Sequence, residues 1–217
     1  MFINEYFKTP LWTEEKPEFV KSLNKVTNSY IKKCKSDKEA KAWIKAHGDF
    51  GRSYHSTPLT RDNNFLDLRN YIGQQSWQFL DWQGFDMSKY QTMFTEMWVQ
   101  EFSKKGGGHH SAHHHWNQHV SGFYFLKASD KTSMPIFYDP RQGARMTKLH
   151  QKKPSTITHA SEQMHYKVKP GTLIIFPGYM LHEFSVDHGK EPFRFIHWNI
   201  QAVPIDLARE PFPENKK

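Results

Sequence analysis

The pattern of apolar and polar positions changes character near residue 90. Before that point, apolar residues recur at helical spacing in two stretches. The first begins with Ser36 as a cap and Glu39 as its capping-box partner, and the second follows Asn64 and runs to Leu80. A shorter helix over residues 18–29 is predicted within an otherwise irregular N-terminal arm. The first third of the chain is therefore expected to be a helical support.

After residue 90 the chain consists of short β-like runs with no helical period between them. The runs cover residues 92–102, 119–127, 134–139, 165–169, 171–176, 182–186 and 193–203. This pattern favours an antiparallel sandwich or barrel, of which the jelly roll is the natural choice. We expect one domain over 1–217, with mostly helical support in 1–90, a jelly-roll catalytic core in 91–205 and a tail in 206–217.

Candidate chemistry is concentrated in a cluster of six histidines at residues 109–119. His113 and His115 lie two positions apart, so in an extended chain they face the same side and can bind one metal ion. Imidazole suits iron, zinc, copper or nickel. The neighbours are expected to lie behind the ligands or to face solvent, unless a shift in strand register makes one of them a ligand; they are His109, His110, His114 and His119.

The segment after residue 170 offers a third imidazole and an unusual charge. His182 follows the turn at Pro177 and Gly178, and Arg194 lies within an aromatic strand. Because an unpaired buried charge is costly, a carboxylate ligand held by the guanidinium would explain that arginine. The long polar stretch 141–163 is typical of a lid.

Composition narrows the class of protein. The formal net charge is +8, but the lysines are scattered and form no basic helix. The single cysteine, Cys34, excludes an internal disulfide and fits a reducing cytoplasm. We expect a cytoplasmic protein without membrane association, because the sequence has neither a long apolar run nor a signal-peptide pattern.

Taken together, the motifs resemble those of the Fe(II)- and 2-oxoglutarate (2OG)-dependent oxygenases. These motifs are HxH, SGFYFL, DPR, PGTLIIFP, a distal histidine and an arginine on the last strand, spanning residues 92–203. The narrower similarity is to a subfamily of bacteria and their phages, related to the prolyl-hydroxylase-like branch. The resemblance implies a double-stranded β-helix, a mainly β fold, that binds Fe(II) and 2OG. It implies an enzyme that uses O2 to hydroxylate a substrate with release of succinate and CO2, in the host cytoplasm if phage-encoded.

Carried over to this chain, the resemblance assigns metal ligation to His113, His115 and His182. His115 occupies the position that normally holds Asp or Glu, which is a departure from the family pattern. Arg194 matches the arginine that holds the far carboxylate of 2OG, and it completes the catalytic set. Tyr124 is a weaker candidate for a contact to 2OG, because Phe125 stands where the family often has tyrosine.

Two other functions compete with this hypothesis. One is a cupin-type dioxygenase with an all-histidine metal and no 2OG. The other is a non-catalytic jelly-roll binding module, for example for nucleic acid. The substrate is not predicted by the sequence, and a protein or peptide, a nucleobase and a small metabolite all stay open.

Overall fold

Two antiparallel sheets face each other in the computed structural model, which describes residues 2–141, 143, 146 and 149–207. The described part contains the strands β1 (Trp12–Glu15), β2 (Ser53–His55), β3 (Tyr90–Phe102), β4 (His110–His113), β5 (Val120–Lys127), β6 (Pro135–Tyr138), β7 (Gln163–His165), β8 (Thr172–Pro177), β9 (His182–Phe184) and β10 (Arg194–Pro204). Its α-helices are α1 (Val20–Ser36), α2 (Lys38–His47) and α3 (Leu66–Trp82).

The order of the strands is that of a jelly roll. The larger sheet has the order β1-β8-β5-β10-β3-β2, and the smaller has the order β4-β9-β6-β7. All of the strand pairs are antiparallel. The prediction of a mainly β jelly roll with N-terminal helices is thereby confirmed.

The helices cover the outer face of the larger sheet. Leu68 and Ile72 of α3 join a buried cluster with Val99 of β3 and Trp198 of β10. The cap of α2 differs from the prediction by one residue, because the Asp37 side chain accepts from the backbone N–H groups of the first turn. A carboxylate there satisfies donors that the helix leaves unpaired.

Four strands depart from the sequence prediction, and one of them, β4, lies in the histidine cluster outside the predicted runs. β1 and β2 lie in segments expected to be irregular, and each pairs with an edge of the larger sheet. β7 ends at His165, where the predicted strand 165–169 begins. Short edge strands owe their conformation to partners distant in sequence, which local patterning does not reveal. Most of the predicted tail, residues 208–217, lies outside the described residues.

The inner faces of the two sheets are packed with aromatic rings. Phe102 of β3, Phe123 and Phe125 of β5, Phe184 of β9 and Phe195 of β10 form one buried cluster. This cluster fills the barrel below the histidines described next. No helix among the described residues is long and apolar enough to cross a membrane.

Candidate metal centre

Three of the predicted site residues meet where the smaller sheet opens. His113 ends β4 directly opposite His182, the first residue of β9. His115 lies two residues beyond β4, and its backbone N–H donates to the carbonyl of Gly178 over 3.0 Å. The turn that precedes β9 therefore holds both the His115 loop and the start of the strand that carries His182.

The three imidazoles are close enough to bind one ion. One ring nitrogen from each of His113, His115 and His182 lies within 4.8 Å of the others. The ring centroids are 4.5 Å apart for His113 and His182, 5.1 Å for His113 and His115, and 5.0 Å for His115 and His182. His182 is fully buried, whereas the other two are partly exposed. The site thus has a buried side and a side open to ligands.

Backbone carbonyls orient two of the rings for metal binding. His113 Nδ1–H donates to the carbonyl of Ser111 over 2.7 Å, and His182 Nδ1–H donates to that of Met180 over 2.9 Å. Because a carbonyl only accepts, the neutral rings carry their hydrogen on Nδ1 and leave a lone pair on Nε2. Such outer contacts are the usual support of a metal-binding histidine.

The third ring is oriented by a side-chain network. Asn199 Nδ2 lies 3.1 Å from His115 Nδ1 and 2.6 Å from the carboxylate of Glu96, while Asn199 Oδ1 accepts from Ser121 over 2.6 Å. In this arrangement His115 Nδ1 accepts, so the ring hydrogen lies on Nε2, 3.3 Å from His182 Nε2. Metal binding through His115 Nε2 requires that proton to move to Nδ1 and the contact between Nδ1 and Asn199 to change.

Burial favours the neutral form of two of these imidazoles, those of His115 and His182. It lowers the pKa of His115 to about 4, assisted by repulsion from neighbouring histidines. Burial also holds the pKa of His182 well below its ordinary value, against the opposing hydrogen bond to Met180. Neutral imidazole is the form that binds a metal, so the residues fit a divalent ion such as Fe(II).

Another buried histidine, not predicted from the sequence, belongs to the same interior. His197 of β10 stacks on His115 with 4.7 Å between ring centroids. Its Nδ1–H donates to the carbonyl of Gly122 over 3.0 Å. The only signal in the sequence was its alternation with Phe195 and Asn199, which share its face. Of the neighbours considered at the first cluster, His109, His114 and His119 are exposed, and His110 is partly buried on β4.

The structure does not bring Arg194 to the imidazoles, which corrects the prediction that it binds 2OG. Its guanidinium lies on the helix-covered side of β10, where Nη2 donates to Glu101 over 2.5 Å and Nη1 donates to Thr27 and Asn28 of α1. Arg194 is 3% exposed and Glu101 2% exposed. The buried charge that suggested a ligand is therefore paired within the protein.

Tyr124 is also on the helix-covered side, contrary to its predicted contact with 2OG. Its hydroxyl donates to the carbonyl of Lys16 over 2.5 Å, and its ring contacts Phe19 edge-on. The side chain is fully buried. Tyr124 thus fixes the N-terminal arm to the sheet.

The comparison with protein families matches this part of the chain. Residues 96–196 match the model of the family described as "Putative 2OG-Fe(II) oxygenase". The matched segment, just under half of the chain, is similar to the 2OG-Fe(II) oxygenases. The resemblance found in the sequence is confirmed, as are the enzyme class and the cofactors Fe(II) and 2OG. No curated protein matches the chain.

Solved structures share its fold at low sequence identity. The viral collagen prolyl hydroxylase of Paramecium Bursaria Chlorella virus-1, in complex with 2OG, is 14% identical with a TM-score of 0.52, and the alignment covers 89% of this chain and 96% of that one. A prolyl-4-hydroxylase of Pseudomonas putida is 9% identical with a TM-score of 0.53, over 89% and 94% of the two chains. The epimerase SnoN, in complex with Fe3+ and alpha ketoglutarate, is 7% identical with a TM-score of 0.57, over 96% and 88%.

The described residues provide a metal site for the keto-acid end of 2OG but not the expected arginine for its far carboxylate. The open side of the His113, His115 and His182 group leaves room for the keto-acid end to reach a metal. For the far carboxylate, the arginine expected from the sequence is on the other side of the sheet. The ionisable groups whose charge affects the pKa of His115, His182 and His197 are other histidines, with no lysine or arginine among them.

Proposed function

We propose that this oxygenase uses Fe(II), held by His113, His115 and His182, to hydroxylate an organic substrate. With Fe(II) and 2OG bound, such a centre couples oxidative decarboxylation of 2OG to succinate and CO2 with insertion of oxygen into a C–H bond. The observation that carries the proposal is the convergence of three imidazoles at the mouth of the jelly roll.

The residues of the chain would bind the metal, orient the imidazoles that hold it and exclude water from the site. Backbone carbonyls hold His113 and His182, and Asn199 holds His115. Below them, phenyl rings of both sheets close the barrel. A dry, apolar wall limits access of bulk water to the reacting groups, which suits a site that handles a reactive oxidant.

A groove beside the metal centre is the proposed substrate site. It has a volume of about 680 Å³, which suits a small molecule or a short chain segment. Phe137 and Met180 form its wall towards the imidazoles, and the Phe137 ring lies 6.1 Å from that of His182. The charged side chains around it are paired, Glu5 with Lys8 and His159, and Asp139 with Arg141. An uncharged substrate matches such a lining.

The predicted lid contributes to this groove. Its described residues that line the groove are Arg141, Ile157, Thr158, His159, Ser161 and Gln163. Residues 142, 144, 145, 147 and 148 of the predicted lid lie outside the described residues. The proposal that the segment closes over a bound substrate thus concerns its second half, where the lining residues are.

A metal-dependent decarboxylation assay tests the proposal. We expect the Fe(II)-loaded protein to consume O2 and form succinate from 2OG, slowly alone and faster when a substrate from peptide, nucleotide or metabolite pools is added. His113→Ala should lose Fe(II) and succinate formation, whereas His114→Ala, which alters an exposed neighbour, should keep both. Equal loss of iron in the two variants, or no succinate from the iron-loaded wild type, contradicts the proposal.

The all-imidazole group also favours a second candidate, a cupin-type dioxygenase that uses no 2OG. Three imidazole ligands without a carboxylate among the described residues are compatible with such an enzyme. The same assay separates the two functions. O2 consumption that depends on metal but forms no succinate would favour the cupin-type reaction.

A further inference from the structure

Three buried polar atoms on the inner face of β3 and β10 have no hydrogen-bond partner. They are Trp98 Nε1, Gln100 Oε1 and His197 Nε2. Buried polar groups are nearly always paired in proteins, so an unpaired set calls for an explanation. Gln100 and His197 are 3% and 2% exposed, and Trp98 pairs with His197 across the two strands.

These atoms lie next to the metal centre. The rings of Trp98 and His197 are 4.5 Å apart, and those of His197 and His115 are 4.7 Å apart. One row of rings therefore connects a proposed metal ligand with an indole N–H that has nothing to donate to. Gln100, two residues after Trp98, faces the same side.

The amide of Gln100 can present either of its ends to this interior. Gln100 Nε2 lies 2.6 Å from His110 Nε2 and contacts the hydroxyl of Ser53, which leaves Oε1 without a partner. If the amide turns, its oxygen accepts from Ser53 and His110, and its NH2 group takes the unpartnered position. Trp98 and Gln100 then both have N–H donors on the inner face of β3.

Charge balance suits a carboxylate held by neutral donors. The two positive charges of a metal dication balance the two negative charges of 2OG, because imidazole ligands add no charge. The metal with its 2OG ligand is then neutral without any further cation. A guanidinium in the barrel would leave an excess positive charge, and burial of uncompensated charge is costly. The histidine at position 115 and the absence of an inward-facing arginine among the described residues are thus mutually consistent.

We infer that the far carboxylate of 2OG is bound by neutral donors, the indole N–H of Trp98 and the side-chain amide of Gln100. This inference rests on the proposed function. His197 takes no direct part, because its Nδ1–H donates to Gly122 and its Nε2 can only accept. A water molecule or a donor group of the substrate would satisfy that nitrogen.

Binding of two keto acids to the Mn(II)-loaded protein tests the inference without turnover. 2OG carries the far carboxylate, and 2-oxopentanoate lacks it. We expect the wild type to prefer 2OG, and Trp98→Phe to reduce affinity for 2OG by about tenfold, since a hydrogen bond to a charged group is lost. Affinity for 2-oxopentanoate should change little, and so should affinity for Mn(II).

Trp198→Phe is the matched control. Its indole Nε1 is also buried and unpartnered, but its ring packs on the helix-covered side. It should leave the preference for 2OG unchanged. Gln100→Met provides a second variant should Trp98→Phe fold poorly, and it too should reduce the preference. The double variant Glu101→Gln/Arg194→Gln should not.

The possible failures are distinguishable. If Trp98→Phe and Gln100→Met keep the full preference for 2OG, or if the double variant at Glu101 and Arg194 abolishes it, the inference is wrong while the proposed function stands. If the Mn(II)-loaded wild type binds neither keto acid, the proposed function itself fails, and the inference fails with it.

Discussion

The two faces of β10 differ in the buried polar groups that they carry. On the helix-covered face, Arg194 has partners on β3 and α1, and Glu101 also accepts from Lys35 over 2.6 Å. On the inner face, His197 and its neighbour Trp98 keep ring nitrogens without partners. The fully paired charge belongs to the architecture. Trp198 Nε1 on the helix-covered side is unpaired as well, so what distinguishes the unpaired groups of the inner face is their place beside the proposed metal ligand His115.

The largest effect on stability is expected when the ion pair on the helix-covered face is removed. Arg194→Ala leaves the Glu101 carboxylate buried beside fewer partners, which should lower the free energy of unfolding by about 3–5 kcal/mol. Burial raises the pKa of Glu101, but the hydrogen bond from Lys35 and the charge of Arg194 outweigh it and hold that pKa low. Denaturant unfolding measures the loss, and Glu101→Gln added to Arg194→Ala should recover part of it.

Ligand binding distinguishes the structural role of Arg194 from the 2OG-binding role that the sequence predicted. A folded Arg194→Ala protein should bind Mn(II) as tightly as the wild type and still prefer 2OG to 2-oxopentanoate. Loss of that preference without loss of stability would show that the guanidinium reaches the cosubstrate after all.

The inner face should in turn control how stability depends on pH. Burial lowers the pKa of His110 and His115 to about 4 from an ordinary value of 6.5, and that of His197 lies well below 6.5. Below pH 6.5 the unfolded chain therefore binds protons that the folded protein does not. Stability of the metal-free protein should be complete above pH 6.5 and fall progressively as the pH drops towards 4.

Chemical unfolding at several pH values in the presence of a chelator measures this dependence. A free energy of unfolding that stays constant between pH 7 and pH 5 would contradict the neutral, buried state of these rings. His114→Ala, at an exposed position, should leave the pH profile unchanged and serves as the control.

His115→Asp tests the charge balance of the inner face. A carboxylate can replace an imidazole as a metal ligand, so Mn(II) should remain bound. The added negative charge has no cation to offset it, and affinity for 2OG should therefore fall by about tenfold. His115→Asn, which keeps the site neutral, should bind 2OG more tightly than His115→Asp does, as calorimetry on the Mn(II)-loaded proteins can measure.

The sequence predicted the three converging histidines better than the faces of the strands. His113 and His115 were recognisable from their spacing, and His182 from the turn before it. The side on which Arg194 lies was not, because the strand around it is apolar on both faces and gives no alternation to follow. A register shift between Arg194 and Phe195 in the pairing of β10 with β5 adds to the ambiguity. Such shifts depend on contacts between strands distant in sequence.

Tyr124→Phe is the mildest test of the difference between the two faces. The Tyr124 hydroxyl donates to the Lys16 carbonyl on the helix-covered side, so its removal should cost about 1 kcal/mol of stability. Affinities for Mn(II) and 2OG should be unchanged, because the ring points away from the imidazoles. If this variant instead lost affinity for 2OG while keeping its stability, the tyrosine would contact the cosubstrate, and the assignment of β5 side chains to the two faces would be wrong.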